Sequence, residues 1–185
     1  MSHPTSAARR EFAVAPSSPL RLLWLWVPLL ICAGLVLGTA LQSPQRSHTE
    51  LVVTLPFILV LGVVLSWGYS RRRIVLEGGE LLVLSTFYRK RVALSAMRLE
   101  QARVVDLAEH GRYKPTLKTN GYGMPGFCSG HFRMGDRSKA FCLLTDNSRV
   151  LYLPLRDGSA LLLSPAHPQQ LLQALQALAE PAHAV

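Results

Sequence analysis

The chain has 185 residues, 49% of them hydrophobic, with a mean hydropathy of +0.23 and a formal net charge of +9. That composition excludes a disordered or low-complexity polymer, and the length suits one domain with additional segments. The charge is unevenly placed. Thirteen Lys/Arg and nine Asp/Glu lie between Ile74 and Val185, while seven basic and two acidic residues precede them. The basic bias therefore belongs largely to the N-terminal part and gives no reason to expect a nucleic-acid surface.

Residues 1–20 read as an N-terminal tail. Two uncharged runs follow, "LLWLWVPLLICAGLVLGTAL" from Leu22 and "LVVTLPFILVLGVVLSWGYS" from Leu51, each twenty residues long. A helix needs roughly 20 apolar residues to cross a hydrocarbon core about 30 Å thick. Two transmembrane helices are thus expected, at 21–41 and 51–70, joined by an external loop at 42–50. Pro28 and Pro56 fall inside the runs, where membrane helices tolerate them. Trp24, Trp26, Trp67 and Tyr69 lie near the outer ends, at headgroup level. Arg9, Arg10 and Arg21 precede the first run and Arg71, Arg72 and Arg73 follow the second, whereas the loop carries only Arg46. Positive flanks stay inside, so both termini are expected in the cytoplasm and the chain in a bacterial inner membrane. The pair Arg9–Arg10 also resembles a twin-arginine export signal. The length of the first run and the second span behind it argue against export.

The remaining sequence, 74–180 with a tail at 181–185, is short-segmented and turn-punctuated. "RIVLEGGELLVLST" reads as two strands joined at Gly78-Gly79, and "YRKRVALSAM" as a third in which Val92 and Leu94 alternate with polar neighbours. "LEQARVVDLA" supplies a fourth, and "EHGRYKPTLKT" a polar crossing loop. Strands "GHFRM" and "KAFCLLTD" meet at Gly135-Asp136, and "RVLYLPL" turns at Asp157-Gly158 into "SALLLS". Ser164 and Pro165 look like the start of a helix that places Leu171, Leu172, Leu175, Leu178 and Ala179 on one face.

Gly121-Tyr122-Gly123-Met124-Pro125-Gly126 fits the G-x-G-x-x-G dinucleotide fingerprint. That chemistry needs a helix opening on the glycines, so that its N-terminus receives the pyrophosphate. Here a strand follows and Pro125 interrupts the motif. Gly121, Gly123, Pro125 and Gly126 are read as a structural loop, and no cofactor is expected. Cys128 and Cys142 are expected as free thiols on neighbouring strands, nearly opposite each other. With His131 they lack a fourth partner for zinc, and Cys32 lies in the first apolar run.

The stretch Thr119, Asn120, Gly121, Gly123, Pro125, Gly126, then Gly130 and Phe132, then Pro154, Asp157 and Gly158, then Leu162, Leu163, Ser164, Pro165 and Pro168 resembles bacterial pleckstrin-homology-like (PH-like) domains of small membrane-anchored proteins. The resemblance covers about Leu99 to Leu178. The segments themselves describe about seven strands and a C-terminal helix, a small barrel or sandwich behind a transmembrane helical hairpin, and the resemblance implies two packed sheets capped by that helix. It implies no particular ligand.

Function is expected to be non-catalytic: a membrane-anchored interaction module that docks a protein partner or another copy. The alternative is an anionic-lipid-binding module. Its candidate residues are Arg71, Arg72 and Arg73 together with Arg112, Lys114, Lys118, Arg133, Arg137 and Lys139. An enzyme would have to use His110, His131 and Asp136, which lack spaced partners.

Overall fold

The computed structural model describes residues 9–16, 22–42 and 47–179, and its chain forms two compact units. The tails at 1–8 and 180–185, Arg21 and Arg46 lie outside the described residues. One unit is a pair of helices, α1 (Leu23–Gln42) and α2 (Ser47–Ser70), both long and apolar enough to cross a membrane. Leucine, valine and phenylalanine are exposed along both, as in Leu30, Leu35, Val53 and Phe57, an apolar surface of the kind a membrane span presents. Between them the Trp26 indole N–H donates to Ser66 Oγ at 3.2 Å. A Cβ at Gly62 would come within 2.8 Å of the Trp26 ring, so the small residue permits the close approach.

The second unit is a β-sandwich with one helix. Its first sheet has the order β1-β2-β3-β4: β1 (Arg10–Phe12), β2 (Arg72–Glu77), β3 (Glu80–Ser85) and β4 (Tyr88–Ala93), all antiparallel. The second has the order β5-β9-β10-β8-β7-β6: β5 (Arg103–Val105), β6 (Pro115–Met124), β7 (Phe127–Met134), β8 (Lys139–Leu144), β9 (Val150–Pro154) and β10 (Ala160–Leu163). Helix α3 (Pro168–Ala179) follows. Strands β10 and β8 run parallel, and the other pairs in this sheet are antiparallel. Leu143, Leu151, Leu153, Leu161 and Leu163 face Ile74, Leu76, Leu81 and Val83 of the first sheet, with Leu171 and Leu175 of α3. Behind them Cys142, Leu144, Val150, Ala160 and Leu162 pack under Val105, Leu107 and Tyr113. Burial on both faces explains why "KAFCLL" and "ALLL" are near-continuous apolar runs and not alternating ones.

Residues Arg10–Phe12, expected as part of the tail, form a strand. Arg10 to Phe12 pair with Leu76 to Ile74, and the Ala15 amide donates to the Ser164 carbonyl at 2.8 Å. Thr145 Oγ1 donates to the Ala15 carbonyl at 2.9 Å. The third strand stops at Ala93, and Leu94 begins a 3-10 turn. The fourth shrinks to Arg103–Val105 behind another 3-10 turn at Leu99–Gln101. The supposed crossing loop becomes strand β6 from Pro115 onward. Helix α3 starts at Pro168, because the Ser164 hydroxyl is engaged by the Asp146 carbonyl at 2.8 Å. Its buried stripe is Pro168, Leu171 and Leu175, and Leu178 is exposed.

Candidate functional site

Strand β7 connects two basic regions. Its residues Phe127, Ser129, His131 and Arg133 alternate onto the face that looks across the sandwich, since successive side chains of a strand point to opposite sides. Phe127 and Ser129 are covered; His131 and Arg133 are open to solvent. Along β7 this face turns from apolar to basic.

At its basic end lies a cleft of about 460 Å³, lined by Lys90 of β4, His131 and Arg133 of β7, Lys139 of β8 and Asp157 of the β9–β10 turn, over an apolar floor that includes Phe141 and Leu161. Arg133 and Lys139 are direct cross-strand partners, an arrangement that is unfavourable for like charges. Asp157 is the acidic lining residue, and its carboxylate accepts from the Ser159 hydroxyl at 2.7 Å and the Ser159 amide at 2.9 Å. Those bonds, helped by Lys90, hold its carboxyl below the ordinary value. Asp157 is thus occupied within its own turn. Thr119 Oγ1 donates to the His131 carbonyl at 3.0 Å on the rim, and the His131 ring lies edge-on to Phe141 at 5.1 Å.

The other basic region lies where β2 begins. The Thr86 amide donates to the Arg71 carbonyl at 3.0 Å, which ties the β3–β4 turn to the arginine triplet. Arg73 Nε lies 3.6 Å from the Glu11 carboxylate, and the Arg72 guanidinium sits over the Phe127 ring at 5.6 Å. A shallow depression of about 270 Å³ here is lined by Arg71, Arg72, Arg73, Thr86, Tyr88 and Arg89 among others. Phe87 at the turn is 55% exposed.

The family model for a bacterial PH domain matches residues 72–179, over half of the chain. The chain belongs to the bacterial PH domain family. Comparison with curated proteins and with solved structures finds no match for it. PH domains are typically non-catalytic interaction modules, and the two sheets with a C-terminal helix agree with the fold the sequence implied.

Within this PH domain the nine basic residues singled out by sequence separate. Arg71, Arg72 and Arg73 lie at the Phe127 end of β7. Arg133 and Lys139 line the cleft at the other end, six strand residues or roughly 20 Å away. Arg112 and Lys114 are held beside the β7–β8 turn, their carbonyls accepting from the Asp136 and Gly135 amides at 3.3 and 3.0 Å. Arg137 is in that turn, and its carbonyl accepts from Arg133 at 3.4 Å. None of Arg112, Lys114, Arg137 and Lys118 lines the cleft; Lys118 is on β6 opposite Phe132.

The glycine stretch is not a loop throughout. Gly121 and Gly123 lie in β6, and only Pro125-Gly126 make the turn, with Gly126 at φ +73. Lys90 and Arg89 were missed by sequence reasoning. The alternation of "YRKRV" held the signal: Lys90 shares the inward face of Tyr88 and Val92, while Arg89 and Arg91 are exposed. Of the enzyme trio, His131 lines the cleft, while His110 lies beside Tyr113 and Asp136 in the β7–β8 turn. Asp136 is engaged by Ser138: burial alone would raise its carboxyl, but these bonds and the Arg112 charge together lower it.

Proposed function

We propose that this chain is a membrane-anchored PH domain that docks an acidic segment of a protein partner in the cleft of Lys90, Arg133 and Lys139. One observation carries the reading: charged side chains occupy inner-face positions that elsewhere in the sandwich are apolar, and they surround a floor of Phe141 and Leu161. Buried or inward-facing charge is the informative departure in a protein core. An acidic partner would relieve the Arg133–Lys139 repulsion, and the apolar floor would accept a neighbouring hydrophobic side chain. Arginine suits carboxylates because its planar fork binds them through two parallel hydrogen bonds.

The domain is anchored through α1 and α2, with both flanks in the cytoplasm. Pairing of β1 with β2 supports this reading, since these strands precede and follow the helix pair in the chain. The arginine triplet after α2 supports the cytoplasmic side.

The test is site-specific photocrosslinking in cells, with the reactive group at Thr119 on the cleft rim, followed by purification in detergent. A discrete protein adduct is expected, and Arg133→Glu with Lys139→Glu should abolish it while the protein remains folded and membrane-bound. An adduct that survives charge reversal, or none at Thr119, refutes the cleft as the docking site.

A further inference from the structure

We propose that the Thr86–Phe87 tip of the β3–β4 hairpin is a lipid-interface anchor, in which Phe87 enters the headgroup–acyl boundary of an anionic membrane while Arg71, Arg73 and Arg89 hold lipid phosphates around it. The inference rests on the reading of α2 as a membrane span and is independent of the cleft.

Position comes first. Arg71 is bonded to Ser70, the last residue of α2, and consecutive Cα atoms are about 3.8 Å apart. The Thr86 amide reaches the Arg71 carbonyl at 3.0 Å. A hairpin tip distant in sequence is therefore hydrogen-bonded to the first residue beyond the span.

The second observation is chemical. Phe87 is an exposed phenyl at 55%, one of the large exposed hydrophobics outside the helix pair, with Leu117 and Leu178. An aromatic ring flanked by cations fits the layer in which acyl chains meet phosphates. Arg71, Arg73 and Arg89 border the depression next to it, and no acidic side chain lines that depression among the described residues. Glu11 meets Arg73, but the pair is largely solvent-exposed at 63% and 49% and is open to exchange for a phosphate. Arg89 is the informative member. Arg71 to Arg73 have a sufficient role in fixing topology, whereas Arg89 is far from the span in sequence and is brought to this place by the hairpin register, opposite Leu84.

The experiment uses the full chain with Cys32→Ser, labelled with an apolar aromatic fluorophore at Phe87→Cys or, for comparison, at Leu117→Cys. Each is reconstituted in phosphatidylcholine vesicles, with or without about one-third phosphatidylglycerol, and quenched by lipids carrying nitroxides on the acyl chain. Quenching at position 87 should exceed that at 117 several-fold and increase with phosphatidylglycerol. Arg89→Glu should remove the increase. Equal quenching at the two positions overturns the anchor, and a phosphatidylglycerol response unchanged by Arg89→Glu overturns the phosphate site. If alkaline carbonate strips the chain from vesicles, the span itself is refuted and the inference fails with it; that outcome is separable from a firmly inserted chain with an unquenched label.

Discussion

Ser85 and Ser129 join the two sheets through a closed pair of hydrogen bonds. Ser85 Oγ donates to Ser129 Oγ at 2.7 Å, and Ser129 Oγ donates to the Ser85 carbonyl at 3.1 Å, with both residues fully buried. A buried hydroxyl that loses its partner incurs its desolvation cost, about 1–3 kcal/mol. Ser129→Ala should therefore lower stability by that amount in thermal unfolding of the full chain in detergent. The double change with Ser85→Ala should cost less than the two single changes together. Strict additivity would show that the pair is not coupled.

Substitutions at the glycines should have unequal effects. Gly130 has φ +104, and a Cβ there would meet the Asn120 carbonyl oxygen and the Gly121 Cα at 2.8 Å, so Gly130→Ala should cost about 2 kcal/mol or more. Gly123 has only the Phe132 ring at 3.7 Å, an ordinary contact. Gly123→Ala should change stability by no more than about 0.5 kcal/mol. Melts of the two variants beside the wild type decide it, and equal losses would show that both glycines serve something other than backbone geometry.

Thr86 has φ +54, a region that β-branched residues rarely adopt. Its hydroxyl oxygen is buried without a hydrogen-bond partner among the described residues. Thr86→Gly removes both penalties and adds glycine's entropic cost, for a net gain of about 1 kcal/mol. A rise in the unfolding midpoint checks this. A fall would mean that the threonine side chain supports the turn.

The thiols give a pH prediction. Burial raises the Cys142 thiol well above its ordinary 9.0, with a further push from Cys128, and burial raises Cys128 as well. Both thiols are free. In the unfolded chain they ionise near the ordinary value, so their contribution to stability is complete below about pH 9 and is lost as pH rises above it. Iodoacetamide at pH 8 should leave the fully buried Cys142 unmodified in the folded chain and label it after denaturation, as read by peptide mass. Rapid labelling of Cys142 in the native protein would contradict its burial.

The strands were legible in the sequence where short turns announced them. Gly78-Gly79 and Asp157-Gly158 bracket runs of leucine and valine, and β2–β3 and β9–β10 form around them. Strand β6 was hidden because it is an edge strand, paired only with β7 and exposed from Thr116 to Asn120, so its residues are those of a loop. Cys128 and Cys142 were correctly assigned to neighbouring strands, but Cys128 faces Leu144 and Cys142 faces Gly130, a diagonal set by the actual register. The cleft was half visible. Arg133 and Lys139 are basic in any reading, yet only the register of β7 with β8 and the inward turn of Lys90 separate them from Arg112 or Arg137.

Strand β1 has a consequence for how the domain is made. It is translated before the two helices, and its partner residues Ile74 to Leu76 only after them. The domain is therefore split in order of synthesis, and its first sheet stays incomplete until the chain has returned. A version cut at Arg71 would expose the β2 edge along which Arg10 to Phe12 now pair. Open edges of this kind recruit other strands. With Arg10 to Phe12 in place, that side of the sheet ends in a strand of only three residues, and short edge strands offer little to a further strand.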